Sequence, residues 1–197
     1  SPLQARIDAA APGATVEVDG GVYRGDLYLD RTVRLVGRNR PRLVGSGKGS
    51  VVRIRAPGVL VEGFDIDGLA GGDLVADSAG VHVAAPDAVV RGCRIDNALF
   101  GVYVREAPGV VVEGNRIRGI PGRAAGEKGS GIHVWNTTGF TFAGNDIADA
   151  RDGIYIQSAS RGVIRSNVAR NLRYGLHYMS SDDNVFEDNL FENGAAG

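Results

Sequence analysis

The chain carries three histidines, and each sits in the same tetrad: Gly80-Val81-His82-Val83, Gly131-Ile132-His133-Val134 and Gly175-Leu176-His177-Tyr178. Between them, Gly101-Val102-Tyr103-Val104 and Gly153-Ile154-Tyr155-Ile156 place a tyrosine at the equivalent point. Alternation of period two makes each tetrad a strand whose apolar residues face one side and whose third residue faces the other. The outward series is then His82, Tyr103, His133, Tyr155 and His177, and the next outward positions add Ala84, Arg105, Trp135, Gln157 and Met179. Aromatic rows of this kind grip sugars or a protein partner, and imidazole with thioether suits copper. Histidines two strands apart lie about 10 Å apart, too far to share one ion without movement. His177 and Met179, two residues apart on one face, are the candidate Cu(I) pair. His82, Tyr103, His133, Trp135, Tyr155 and His177 are the candidate partner-binding face.

These strands must be held in register, and a second repeat does that. An octet recurs from Val59 to Ile66, Ala88 to Ile95, Val110 to Ile117, Phe140 to Ile147, Gly162 to Ala169 and Asn184 to Phe191. Its fifth positions fall at 63, 92, 114, 144, 166 and 188, so the spacings are 29, 22, 30, 22 and 22. A base period of 22 with two insertions is too short for a helix-bearing repeat and right for one turn of a β-solenoid with three short strands. The expected fold is all-β, a right-handed single-stranded parallel β-helix forming one domain over residues 1–197. Coils should stack at about 4.8 Å. The insertions, 69–78 and 119–130, are expected to be loops bulging from one corner. The sixth octet position is Asn115, Asn145, Asn167 and Asn189 in successive coils. Stacked amides at a corner hydrogen-bond along the axis, so these four are expected to form a structural ladder. Cys93 holds the same position one coil earlier and reads as a small corner or core residue. Residues 1–14, with a short helix over Leu3 to Ala11, are expected to cap the first coil. Gly197 lies 22 residues after Gly175, at the start of a further strand. The solenoid is therefore expected to continue beyond this chain.

A net charge of −1 recruits neither nucleic acid nor a membrane surface. A single cysteine allows no internal disulfide and no cysteine zinc motif. No apolar run approaches the ~18 residues that span a bilayer. Gly45 to Ser50 lacks the P-loop spacing and reads as a turn. Arg38, Arg40 and Arg42 form a small basic patch, read as solvated or as a contact for an acidic partner. Asp65, Asp67, Asp182 and Asp183 read as turn residues. Neither the Asp-Pro-His-Asp tetrapeptide of mannuronan epimerases nor the assembled polygalacturonase pattern is present. A carbohydrate-binding or polyuronate-active β-helix, related to the epimerases and lyases, is the alternative function.

The segment Tyr174-Gly175-Leu176-His177-Tyr178-Met179-Ser180-Ser181-Asp182-Asp183-Asn184, followed by Phe186, Asn189, Phe191 and Asn193, resembles the NosD family. So do Leu3-Gln4 through Pro12-Gly13-Ala14, Gly21-Val22-Tyr23 and Val33-Arg34-Leu35-Val36-Gly37. The resemblance implies a non-enzymatic periplasmic accessory protein in the copper-centre maturation of nitrous oxide reductase. The implied partners are the ABC transporter subunits NosF and NosY, the copper chaperone NosL and the apo nitrous oxide reductase, with copper carried transiently. Of the residues considered as ligands, only His177 and Met179 fall in the family's distinctive segment.

Overall fold

A computed structural model describes residues 1–195, so the expected strand start at Gly197 lies outside the described residues. Twenty-three strands form three parallel sheets that run side by side along the axis. Sheet A has eight strands: Thr15–Val18, Arg34–Gly37, Leu60–Glu62, Val89–Arg91, Val111–Glu113, Thr141–Ala143, Val163–Arg165 and Val185–Glu187. Sheet B has eight, from Val22–Arg24 to Leu190–Glu192, and sheet C has seven, from Leu27–Leu29 to Tyr174–Met179. Each strand pairs with its counterpart one coil away, which is the expected parallel β-solenoid of about eight coils.

The octet supplies one strand of sheet A, a corner and one strand of sheet B. Its fifth residue turns the chain in the left-handed region, with φ of 83° at Gly63, 60° at Gly92, 61° at Gly114 and 62° at Gly144. Glycine meets that conformation without strain. Ser166 and Asp188 accept it in the later coils at 55° and 52°, as short polar residues do at turns. The tetrad's glycine has another cause. A Cβ on Gly101 would lie 2.4 Å from the carbonyl oxygen of Gly131 in the next coil. The backbones can approach that closely only without a side chain.

Inward residues stack in rows. Leu35, Val61, Val90, Val112, Phe142 and Ile164 are paired in register along sheet A. Ile66, Ile95, Ile117 and Ile147 do the same along sheet B. All are buried, and each such side chain contributes roughly 1.5–3 kcal/mol on leaving water. At the first coil, helix α1 spans Pro2–Ala9. Ser1 caps it, its Oγ accepting from the Gln4 N–H at 3.2 Å. Leu3 and Ile7, one turn apart, enter the core. The helix stops two residues short of the expected Ala11, with Ala10 already extended ahead of Pro12.

The two insertions leave the corner between sheets B and C, and a 3₁₀ turn, Ala125–Glu127, interrupts the second. They return over the outer face of sheet C. There Ala79, Leu99, Phe100, Tyr103 and Ile120 form a second buried apolar cluster outside the solenoid, with Leu74, Ala70 and Trp135 packed against it.

Candidate functional site

The outward column is in strict register: His82 pairs with Tyr103, Tyr103 with His133, His133 with Tyr155, and Tyr155 with His177. It also extends to Arg53 and Tyr28 in the first coils. Its rings pack continuously. Tyr103 stacks on His82 at 5.6 Å and on His133 at 4.6 Å, while Tyr155 meets His133 edge-on at 4.4 Å and His177 at 4.1 Å.

Only part of this column is a surface. Tyr103 is 6% exposed and His133 7%, both covered by the returning insertions. The open face is therefore narrower than strand alternation alone implies. Burial pushes the Tyr103 hydroxyl up to about 12 and drives the His133 imidazole down to about 4, against weaker upward pulls from Gln157 and Asp152. Burial also lowers His82. Trp135 is half-buried, with the Arg105 guanidinium 4.7 Å over its ring and Arg105 tied to Asp77 at 2.9 Å.

The lower end is open and polar. Met179 is 42% exposed, and its sulfur accepts a hydrogen bond from Tyr155 Oη at 2.8 Å. His177 Nδ1 lies 3.2 Å from Asp152 Oδ2, and the Arg173 fork grips the same carboxylate at 3.0 and 2.8 Å. Burial alone would raise Asp152, but the hydrogen bonds from Arg173 and His177 outweigh it and hold the carboxyl below its usual value. Arg173 Nη2 also lies 3.2 Å from that Nδ1, so the carboxylate and the guanidinium together hold the ring from one side and, among the described residues, Nε2 is the nitrogen without a hydrogen-bond partner. His177 Nε2 and the Met179 thioether thus stand on one strand face as a soft two-donor set. Among the described residues, no three His, Cys, Asp or Glu side chains gather closely enough to hold a metal ion.

Asp152 and Arg173 were not among the residues singled out from the sequence. With Lys128, Arg151, His133, Tyr155 and His177 they line a cavity of about 250 Å³ between the second insertion and the column. The signal was their offset. Asp152 directly precedes the tetrad glycine, and Arg151 and Arg173 stand two positions before it in successive coils.

The other singled-out residues are structural. Asn115 Nδ2 donates to Asn145 Oδ1 at 3.1 Å, Asn145 Nδ2 to Asn167 Oδ1 at 2.9 Å, and Asn167 Nδ2 to Asn189 Oδ1 at 2.9 Å. Cys93 is buried, its N–H donates to Asn115 Oδ1, and burial pushes its thiol up to about 11. The basic patch is largely exposed, and each arginine is paired: Arg38 with Glu17, Arg40 with Asp65 and Arg42 with Asp67. Asp65 and Asp67 therefore sit in a sheet B strand as ion-pair partners rather than in a turn. The register that places each Arg beside a carboxylate one coil away is the reason.

The right-handed beta helix region family matches residues 50–197. Two relatives, from Pseudomonas aeruginosa and Stutzerimonas stutzeri, share 34% identity over 135 residues, and each bears the name "probable ABC transporter binding protein NosD". The match covers 68% of this chain but only 31% of those proteins. Among solved structures, an alginate lyase from Paenibacillus sp. FPU-7 superposes with a TM-score of 0.78 at 17% identity, over 96% of this chain and 72% of that one. A Yersinia enterocolitica family 28 exopolygalacturonase superposes at 0.67 and 13% identity, over 98% of this chain and 63% of that one. At such identities the likeness is one of fold.

Proposed function

The chain belongs to the right-handed β-helix family, and from that premise we propose that it is a NosD-like, non-enzymatic accessory protein that passes Cu(I) during assembly of the copper centres of nitrous oxide reductase. In this reading it works in the periplasm beside an ABC transporter with subunits NosF and NosY. It receives copper from the chaperone NosL and presents it to the apo-reductase. Kinship to proteins named for binding an ABC transporter supports the setting.

One observation carries the copper step: His177, fixed through Nδ1 by Asp152, beside the exposed thioether of Met179. Soft thioether and imidazole donors select Cu(I), and two donors without a closed cage favour release as much as capture. The carboxylate behind the histidine orients its ring.

Cu(I) titration of the chain against a chromophoric chelator tests this. One ion should bind, and a His177→Ala/Met179→Ala double variant should lose it. Asp152→Asn should weaken it by about 10–100-fold, the usual effect of removing such a support. Absence of binding, or binding unchanged in the double variant, overturns the assignment.

A further inference from the structure

The outer face of sheet A differs from the other two. The insertions return over sheet C. On sheet B the first residue of successive strands is charged, at Arg42, Asp65, Arg94, Arg116 and Asp146. On sheet A the same position reads Leu60, Val89, Val111, Thr141, Val163 and Val185, stacked in register. Val89, Val111, Thr141 and Val163 are half-buried, and Val185 is 45% exposed. The third residue of each strand forms a parallel column: Glu62, Arg91, Glu113, Ala143, Arg165 and Glu187. An apolar stripe beside a charged rim, on a flat face that no insertion crosses, has the anatomy of a small interface.

The second observation is the order of those charges. Within the chain Arg91 bridges Glu62 at 2.9 Å and Glu113 at 3.2 Å. Arg165 and Glu187 are neighbours in register, yet among the described residues neither has an ion-pair partner. The column is complementary to a second copy of itself. A two-fold axis laid along the strand Thr141–Ala143 reverses the order of the coils and keeps the direction of the strands. Ala143 then faces Ala143, Glu113 faces Arg165 of the other copy, and Arg91 faces its Glu187, each pair occurring twice. In the apolar column Thr141 faces Thr141, Val111 faces Val163 and Val89 faces Val185. Moving the axis removes the match. On Glu113 or Arg165 it sets that charge against itself, and half a coil either side of Ala143 it sets Arg91 against Arg165 or Glu113 against Glu187. Like charges facing each other across an interface select against those registers.

We infer that the outer face of sheet A is the interface of a reversible homodimer, isologous about Ala143. An isologous interface requires this kind of self-complementarity. Ala143, 8% exposed, keeps the axis free of a bulky side chain. Five stacked strands at ~4.8 Å span about 24 Å, and five residues at ~3.3 Å span about 16 Å. The two copies together therefore cover about 800 Å², below the ~1,200 Å² of stable complexes, so the dimer is weak and exchanges. The valine stripe supplies the area and the charges set the register. His177 and Met179 lie on sheet C and are not part of this interface, so the inference stands apart from the copper reading.

Sedimentation velocity of the chain over a concentration series up to about 1 mM tests it, with a dimer expected at a Kd on the order of 0.1 mM. Arg165→Glu should raise that Kd by about tenfold or more, and Glu113→Arg should do the same. Combined in one chain, the two substitutions should restore association, because the signs have exchanged places across the interface. Arg94→Glu, an equal change of charge on sheet B, should leave the Kd unchanged. A chain that stays monomeric throughout, a dimer indifferent to Arg165→Glu, no recovery in the double variant, or an equal loss in Arg94→Glu overturns the inference.

Discussion

Asn145→Ala is the sharpest test of how the corners hold the stack together. The Asn145 side chain is 1% exposed and makes four hydrogen bonds. Its Nδ2 donates to the Val112 carbonyl and to Asn167 Oδ1, both at 2.9 Å, and its Oδ1 accepts from the backbone N–H and the Nδ2 of Asn115, both at 3.1 Å. Truncation leaves the Asn115 N–H with no acceptor, deep in the corner where water does not reach. It also removes one of the two partners of the Asn115 amide and of Asn167 Oδ1. At about 1–3 kcal/mol for a stranded buried group, the Asn115 N–H alone costs that much and the two half-satisfied groups add to it, a large part of a domain's whole stability. Asn189→Ala is the internal comparison. That residue is only half-buried and ends the described ladder, so water can enter the space its side chain vacates beside the Asn167 N–H and Nδ2, and the loss should be smaller, about 1 kcal/mol. Urea unfolding followed by circular dichroism measures both. A loss under 0.5 kcal/mol for Asn145→Ala, or equal losses at the two sites, refutes the claim that the ladder is a cooperative structural device.

Two further outcomes follow from the burial of single groups. His133 has its imidazole pushed down to about 4, so between there and its unfolded value near 6.5 the unfolded chain binds more protons and stability falls as pH falls. Unfolding midpoints measured from pH 7 to 4 should therefore drop in the native chain, by up to about 3 kcal/mol from this group, and drop less in His133→Leu. Equal slopes would show that His133 does not titrate as a buried base. Cys93, buried with its thiol pushed up to about 11, should resist a thiol-reactive disulfide reagent in native buffer and react promptly in denaturant. Rapid native labelling would contradict its place in the core.

The solenoid was readable because its repeat is one of register. A 22-residue step that returns glycine, apolar residue and asparagine to the same offsets leaves little choice of pairing, and the column from His82 to His177 came with it. The cover over that column was not readable. Insertions rich in Gly and Ala show no period, and nothing in the sequence says that Leu74 turns inward while its neighbours Leu69 and Val75 stay exposed, or that Ile120 does so in the second insertion. Only the folded backbone brings Leu74 and Ile120 over Phe100 and Tyr103. The lower site was half readable. His177 and Met179 follow from strand alternation. Asp152 and Arg173 act through side chains that reach across a coil boundary from just ahead of the glycine, where alternation says nothing about direction.

The straps over sheet C also change how the molecule answers a pull. In a plain solenoid each coil touches only its neighbours, and extension peels them off one at a time. Here Arg123 of the second insertion bonds to the Ala70 carbonyl of the first, 53 residues away, and Gly129 ties to Leu99 and, through its carbonyl, to Arg151. Load entering at the last coil would release one loop of chain after another until it reached this laced section. The tether points there bear force in parallel, and the middle coils give way together. The laced middle also holds Tyr103 and His133, so the two most buried rings of the column sit in the stretch that the cross-ties hold shut.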